Sequence, residues 1–403
     1  MSLFGRGVVS MSVVLNQLDK KVEQVTEQVV AWRRYLHQHP ELSFHEEKTA
    51  QFVYDTLSSF GNLELSRPTK TSVVAKLQGG QPGGVLAIRA DMDALPIAEE
   101  NDFEFKSEYE GVMHACGHDG HTAMLLGTAK ILSELQAEVP GEVRFLFQHA
   151  EELFPGGAEE LVQAGVLDGV SQVIGIHLWA PLEVGKIGIC AGPMMAAPDT
   201  FHITVLGKGG HAAQPHLTID SIAIGAQVVT NLQHIVSRNT DPLDPLVLSV
   251  TQFNAGTAHN VIPGSVEMVG TVRSFKPELR DEVPALMERV VKGITEAHGA
   301  TYKFEYEKGY RPVINDAEVA AKLRASLVSA FAEDVVEDAV PTMGGEDFSA
   351  YQTAAKGTFF FVGAGNAEKN IVYPHHHPRF TVDEASLPMG VKAFVHATFD
   401  LNR

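Results

Sequence analysis

Three short runs constrain the fold more than any other feature of this chain. VLAIRA (85–90), VRFLFQ (143–148) and VIGIHLW (173–179) are apolar almost throughout. A strand without a polar face must be covered on both sides, as in a parallel sheet sandwiched between helices. Segments with helical periodicity separate these runs. Leu18, Val22, Val25, Val29, Trp32 and Leu36 recur at helical spacing over 16–37, a second helix is expected over 46–59, and a long one over 119–136. The alternation predicts an α/β fold, a mostly parallel sheet with helices on both faces. TSVVAKL (71–77) reads as a further strand, set off from VLAIRA by GGQPGG, a turn signal.

From about residue 190 the rhythm changes. TFHITVLG (200–207), LVLSVTQFNAG (246–256), SVEMVGTVRSF (265–275) and TYKFEYEKG (301–309) read as strands, with helices near 216–238 and 277–298. Strand–helix–strand–strand–helix–strand is the order of a ferredoxin-like α+β unit. After about 310, helix (316–332), strand (357–363) and helix (383–399) return. A chain of 403 residues is too long for one core. The expected organisation is a discontinuous first domain, 1–189 and 310–403, with a second domain inserted at 190–309. The opening MSLFGRGVVSMSVVLNQLDKK reads as a frayed leader rather than a signal peptide, with Met11 an alternative start.

Charge and cysteine content exclude several function classes. With 31 basic against 50 acidic residues the chain carries a net charge of −19, which repels phosphate backbones and anionic lipid. No apolar run is long enough to span a bilayer. Neither nucleic acid nor membrane is therefore an expected partner. Two cysteines are too few for a disulfide scaffold and suit a reducing cytoplasm.

Chemistry-bearing residues fall where the strands end. Asp91 and Asp93 follow VLAIRA, Glu151 and Glu152 follow VRFLFQ, and His177 lies near the end of VIGIHLW. MHACGHDGHTA (113–123) places Cys116 and His118 just before a helix, and YPHHHPRF (373–380) adds three histidines. Open α/β sheets form their sites outside the carboxyl ends of strands. Thiolate, imidazole and carboxylate together suit a borderline-soft divalent metal. Adjacent strand residues point opposite ways, so one carboxylate could bind metal while its neighbour acts as a free base. Taken singly, each residue has a structural reading: a buried thiol, helix N-terminal polar groups, a hydrogen-bonded core histidine. A Cys116 nucleophile at a helix N-terminus is the competing chemistry. It leaves Glu152, His177 and the 375–377 histidines without a role.

LHQHPELSFHE, RADMDALPI, MHACGHDGHTA, FLFQHAEE, GKGGHAAQPH, AGTAHNVIP, MGGEDFS and HHHPRF together resemble the aminoacylase/carboxypeptidase family of two-metal amidohydrolases. Within it they resemble the branch of hippurate hydrolases, indole-acetyl-amino-acid hydrolases and N-acetyldiaminopimelate deacetylases. The resemblance implies a zinc-peptidase-like catalytic domain with an inserted lid and dimerisation domain. It implies two divalent ions (Zn²⁺, Mn²⁺, Co²⁺ or Ni²⁺) held by Cys116, His118, Glu152, His177 and His376, with His375 the alternative to His376. Cys116 would stand where related branches have a bridging carboxylate. The resemblance also implies Glu151 as general base, Asp93 as the orienting acid, and Asp91 as a supporting residue behind the ligands. His211 would stabilise the oxyanion, and Asn260 and Arg273 are candidates for binding the substrate carboxylate. The expected protein is a cytoplasmic homodimer or higher homo-oligomer acting on small N-acyl (acetyl or aroyl) amino acids. Its alternatives are a metallocarboxypeptidase or dipeptidase on the same scaffold and a catalytically silent metal-binding homologue. The chain departs from the family at His149, where Pro is usual; a space-filling role is the expected one.

Overall fold

The computed structural model describes residues 4–403, with side chains from Gln17 onward. The chain divides into two compact units. One takes in residues up to Met194, Ile314–Pro341 and Asp347–Arg403; the other takes in Met195–Val313 and Thr342–Glu346.

The elements of the first stretch are α1 (Phe4–Gln38), α2 (Glu47–Ser58), β1 (Glu64–Ser66), β2 (Val73–Gln78), β3 (Gln81–Asp91), α3 (His118–Glu134), β4 (Pro140–Gln148), α4 (Gly157–Gln163), β5 (Gln172–Glu183), β6 (Ile187–Ile189) and β7 (Gly192–Met195). The inserted stretch contains β8 (Ala197–Leu206), β9 (Gly210–His211), α5 (Ser221–His234), β10 (Leu246–Asn254), β11 (Val261–Ile262), β12 (Ser265–Ser274), α6 (Pro277–Ala297) and β13 (Thr301–Glu307). The chain closes with β14 (Val313–Asn315), α7 (Ala317–Phe331), β15 (Val336–Asp338), β16 (Lys356–Gly365) and α8 (Ser386–Leu401).

The large sheet has eight strands in the order β1-β2-β4-β3-β5-β16-β6-β15. Its centre, β4-β3-β5-β16, is parallel throughout, and antiparallel pairs occur at β1/β2, β2/β4 and β16/β6. β4 and β16 are buried almost throughout, and β3 and β5 over 86–91 and 173–178, which accounts for their apolar runs. Helix α3 is buried almost all round and packs with α1 and α8 in one core. Leu18, Val22, Val25, Val29, Trp32 and Leu36 form the buried stripe of α1. At about 1.5–3 kcal/mol each, their burial is what holds this long helix to the core.

Several local expectations need correction. α1 starts at Phe4 rather than at 16, so a helical backbone runs through most of the stretch read as a frayed leader; residues 1–3 lie outside the described ones. No proline interrupts 4–38, so the helix propagates. In GGQPGG only Gly79 and Gly80 turn; the rest opens β3, with an irregular register between Gln81 and Val85. Glycine suits this edge because a Cβ on Gly83 would lie 2.2 Å from the Asn402 carbonyl oxygen. β5 runs on to Glu183, so His177 is mid-strand; pairing with β3 ends at Gly175, and this frees the region around His177 to line a site. Glu151 and Glu152 follow β4 as expected, but they lie in a bend, where strand alternation does not apply.

The second unit is built on an antiparallel sheet of order β10-β12-β8-β13, the ferredoxin-like arrangement, with α5 and α6 packed over it. Asp199 on β8 is buried and accepts hydrogen bonds from Arg280 Nε (2.9 Å) and Nη2 (2.6 Å), Tyr306 Oη (2.9 Å) and Gly309 N–H (2.9 Å). This carboxylate pins α6 to the sheet. Removing one member of a buried pair leaves an uncompensated charge. Arg280→Ala is expected to cost about 3 kcal/mol of the unit's stability, seen as a lowered urea midpoint at unchanged slope. A midpoint equal to wild type would show that Tyr306 and Gly309 satisfy Asp199 alone.

Candidate metal centre and active site

The candidate residues come from four neighbouring parallel strands and the loops that follow them. Asp91 ends β3 and Asp93 follows it; Glu151 and Glu152 follow β4; His177 lies on β5; His376 follows β16. Cys116 and His118 come in at the start of α3, on the long connection from β3 to β4. Gly117 between them has φ +94°, a left-handed conformation that lets the side chains on either side face one point. His376 (φ +65°) and Ala150 (φ +49°) are non-glycine residues in the same region, beside the centre. Such strain concentrates at functional sites.

Two ligand triads share a thiol. Cys116, His118 and His177 have donor atoms within 4.8 Å of one another, as do Cys116, Glu152 and His376. Cys116 Sγ is 3.4 Å from His177 Nε2, and His376 Nε2 is 3.1 Å from Glu152 Oε1. Carboxylate oxygens of Glu151 and Glu152 and a ring nitrogen of His118 also lie within 4.8 Å of one another. The two glutamates therefore converge instead of pointing opposite ways. Strand alternation does not apply to a bend.

Hydrogen bonding at the far side of each ring decides which nitrogen can bind a cation. His118 Nδ1 lies 2.9 Å from the Asp93 carbonyl oxygen, an acceptor only, so Nδ1 carries the hydrogen. Its Nε2 is buried without a hydrogen-bond partner among the described residues. His177 Nδ1–H donates to the Leu178 carbonyl at 2.8 Å, which leaves Nε2 toward Cys116. His375 Nε2–H donates to that same carbonyl at 2.9 Å, and its ring stacks on Trp179. His121 is used on both sides: Nδ1–H donates to Asp91 Oδ1 at 2.6 Å and Nε2 accepts the Leu178 N–H at 2.8 Å. The Leu178 peptide thus sets the orientation of three histidines. His149 lies 3.0 Å from Glu160 and joins none of the donor groups.

The electrostatics suit a cation. Burial opposes charge on His118, but Asp91, Asp93 and Glu152 outweigh it and push its imidazole up to about 10. Burial, together with Glu152, Glu151 and Asp91, pushes the Cys116 thiol well up. Burial also works against Asp91, yet Arg89, His118 and His121 hold its carboxyl well below the usual range. A divalent ion reverses the effect on the thiol and takes the place of the His118 proton. The orphaned Nε2 and the thiolate–imidazole–carboxylate set fit such an ion.

One feature of the site was missed at the sequence level. Asp347 of MGGEDFS is buried within 4.8 Å of a Glu151 oxygen and accepts from Arg89 Nη2 (2.8 Å), Gln148 Nε2 (2.8 Å) and the Ala158 N–H (3.0 Å). Burial pushes its carboxyl up to about 6 against the Arg89 charge. Only the long-range pairing of Arg89 with residue 347 reveals it.

In the second unit, His211 on β9 pairs with Val261 on β11, and the Ala212 N–H donates to the Asn260 carbonyl at 3.0 Å. Both side chains belong to exposed residues. Arg273 lies near the other end of β12, where Nη1 donates to Thr271 Oγ1 at 2.6 Å. The ribbon carrying His211 and Asn260 leaves the sheet near Ser265, eight residues from Arg273, or roughly 25 Å of strand. The unit brings His211 and Asn260 together and keeps Arg273 apart.

Fold and donor set define a metallohydrolase of the mixed α/β type. Residues 87–400 match the model of peptidase family M20/M25/M40, and the chain belongs to that family. It is 74% identical over 299 residues to an N-acyl-L-amino acid amidohydrolase of Geobacillus stearothermophilus, covering 74% of this chain and 81% of the relative. It is 41% identical to thermostable carboxypeptidase 1 of Saccharolobus solfataricus, covering 95% of this chain and 97% of the relative. The solved structure of the Bacillus subtilis YXEP protein, described as a dinuclear metal-binding peptidase of family M20, superposes with a TM-score of 0.82 at 38% identity, covering 94% and 99% of the two chains.

Proposed function

We propose that this protein is a two-metal amidohydrolase that cleaves the amide bond of N-acyl amino acids, with Cys116 belonging to both sets of residues that would hold an ion. The observation that carries this is the pair of triads sharing Cys116, with the Glu151 carboxylate beside them. Cys116, His118 and His177 would hold one ion, and Cys116, Glu152 and His376 the other. When bound, the ions supply Lewis-acid polarisation of the amide carbonyl and lower the pKa of a water. Zn²⁺, Mn²⁺, Co²⁺ and Ni²⁺ all suit the donors.

Glu151 takes the proton of the attacking water and returns it to the leaving amine. Asp93 holds His118 in its working tautomer. His211 supplies a donor to the developing oxyanion, and the inserted domain, 190–309, serves as lid and dimerisation module. Asn260 and Arg273 are the donors for the substrate carboxylate. One copy's second unit holds them too far apart to grip a single carboxylate. A homodimer in which His211 and Asn260 come from the partner subunit removes that conflict. The free, buried Cys116 thiol suits the reducing cytoplasm, and among the described residues no helix is long and apolar enough to cross a membrane.

The Geobacillus relative's name supports acyl amino acids as substrates, and the Saccharolobus relative's name favours a second reading, a carboxypeptidase. Amine release from N-acetyl, N-benzoyl and dipeptide substrates, with chelated enzyme and each metal added back, separates them. Cleavage confined to dipeptides would move the protein to the peptidase reading. No turnover with any metal would favour the silent homologue.

Asp93 supplies a direct test of the ligand geometry. Its Oδ2 accepts from Ser43 Oγ (2.6 Å) and the Glu152 N–H (3.0 Å), and its Oδ1 is 3.2 Å from His118 Nδ1. Asparagine must turn an NH₂ toward one of these donors. Asp93→Asn is expected to weaken metal affinity by about 10–100-fold, measured by competition with a chromogenic chelator. Unchanged affinity would remove Asp93 from its orienting role.

A further inference from the structure

Residues 41–46 (ELSFHE), between α1 and α2, touch both loops that carry the candidate acids. The Ala94 N–H donates to the Glu41 carbonyl at 2.8 Å, and Leu42 bridges to Ala94. Ser43 Oγ donates to Asp93 Oδ2 at 2.6 Å. One end of the segment is thereby tied to the loop after β3.

The other end reaches the turn after β4. Glu46 has no exposed surface. It precedes α2 at the N-cap position, yet its side chain makes no capping bond to that helix. Its Oε1 instead accepts the Ala150 N–H at 2.7 Å and the Phe44 N–H at 3.1 Å. Ala150 (φ +49°) and Phe44 (φ +67°) are both non-glycine residues in the left-handed region, which side chains disfavour unless surrounding contacts impose it. One buried carboxylate oxygen secures both. The Ala150 carbonyl in turn accepts the Gly157 N–H at 2.9 Å, and the Phe44 ring stands edge-on to His149 at 5.6 Å.

We infer that Glu46 is a positioning residue for the general base: by accepting the Ala150 and Phe44 N–H groups it locks the left-handed turn that aims the Glu151 carboxylate. This rests on the reading of Glu151 as the base. Burial, and then the Asp93 charge, push the Glu46 carboxyl up to about 7. The acceptor Oε1 persists in either protonation state, so glutamine should replace it.

The test compares Glu46→Ala, Glu46→Gln and Glu151→Gln, each loaded with the same metal, on the N-acyl amino acid that wild type cleaves best. kcat is referred to folded, metal-loaded enzyme. A misaimed reacting group costs about 10²-fold. Glu46→Ala should therefore lose about that factor in kcat, with KM and bound metal little changed, and Glu46→Gln should keep most of wild-type kcat. A wild-type kcat in Glu46→Ala overturns the inference, because a purely structural acid would lower the melting temperature alone. Equal losses in the Ala and Gln variants overturn it too, by showing that charge rather than the acceptor matters. If the Ala variant fails to fold, Glu46→Asp, one methylene too short to reach Ala150, takes its place with the same expected loss. An active Glu151→Gln would sink the base reading itself. An inactive Glu151→Gln beside a fully active Glu46→Ala would sink only the positioning role.

Discussion

Glu151→Gln is expected to abolish turnover while both metal ions stay in place. Gln has the size of Glu and neither accepts nor returns a proton. Positioned acid–base groups contribute about 10²–10⁴-fold. Glu151 would serve both proton transfers, so a loss near the upper end, about 10⁴ in kcat, is expected. Glu151 belongs to neither triad that contains Cys116, so metal content measured by elemental analysis should equal that of wild type. It does approach His118 and Glu152, and this makes the metal measurement decisive. A variant that loses activity together with one ion would show Glu151 to be a ligand. One that keeps a tenth of wild-type turnover would show that another group takes the proton.

The second large effect is expected from stripping the metal. Without a cation, the centre keeps a buried thiol beside Glu151, Glu152 and Asp91, and His118 must carry a proton. Chelation should abolish activity and lower the melting temperature of the catalytic unit. An ion present at a thousand times its Kd stabilises by about 4 kcal/mol, which corresponds to roughly 8 °C in a unit of this size. Rebinding should release protons, because the thiol and His118 give theirs up. Both groups have raised pKa values in the metal-free protein, so apparent affinity rises with pH through the neutral range. Calorimetry in buffers of different ionisation enthalpy counts the protons. Release of none would mean that the thiol is not a ligand. Cys116→Ser should lose the thiol's share of the proton release, leaving that of His118, and weaken both binding steps, because Cys116 belongs to both triads.

The conformations that shape the centre were poorly legible in the sequence. Ala150 and His376 are not residues that announce a left-handed backbone. Local propensity argues against that conformation at both, and only tertiary hydrogen bonds impose it. For the same reason strand alternation was wrongly applied to Glu151 and Glu152, which lie in a bend. VRFLFQHAEE keeps its apolar, extended character up to the point where Glu46, more than a hundred residues earlier, turns the backbone. GGQPGG was misread because a turn dipeptide and a glycine-rich sheet edge look alike until Asn402 is seen against Gly83. The resemblance selects His376 with His375 as the alternative; in the structure His375 donates to the Leu178 carbonyl and His376 faces Glu152.

The sequence by itself determined the strand and helix periods, the parallel centre of the large sheet, the ferredoxin-like order of the inserted elements and which segments carry donor-type side chains. These follow from local patterns of burial and from residue chemistry, which short windows carry. Only the tertiary structure decided which ring nitrogens of His118 and His177 face the centre, that two triads share Cys116, that Asp347, held by Arg89, lies beside Glu151, and that Glu46 accepts from the turn before it. Those features depend on pairs of residues far apart in the chain, and no local pattern encodes the distance between them.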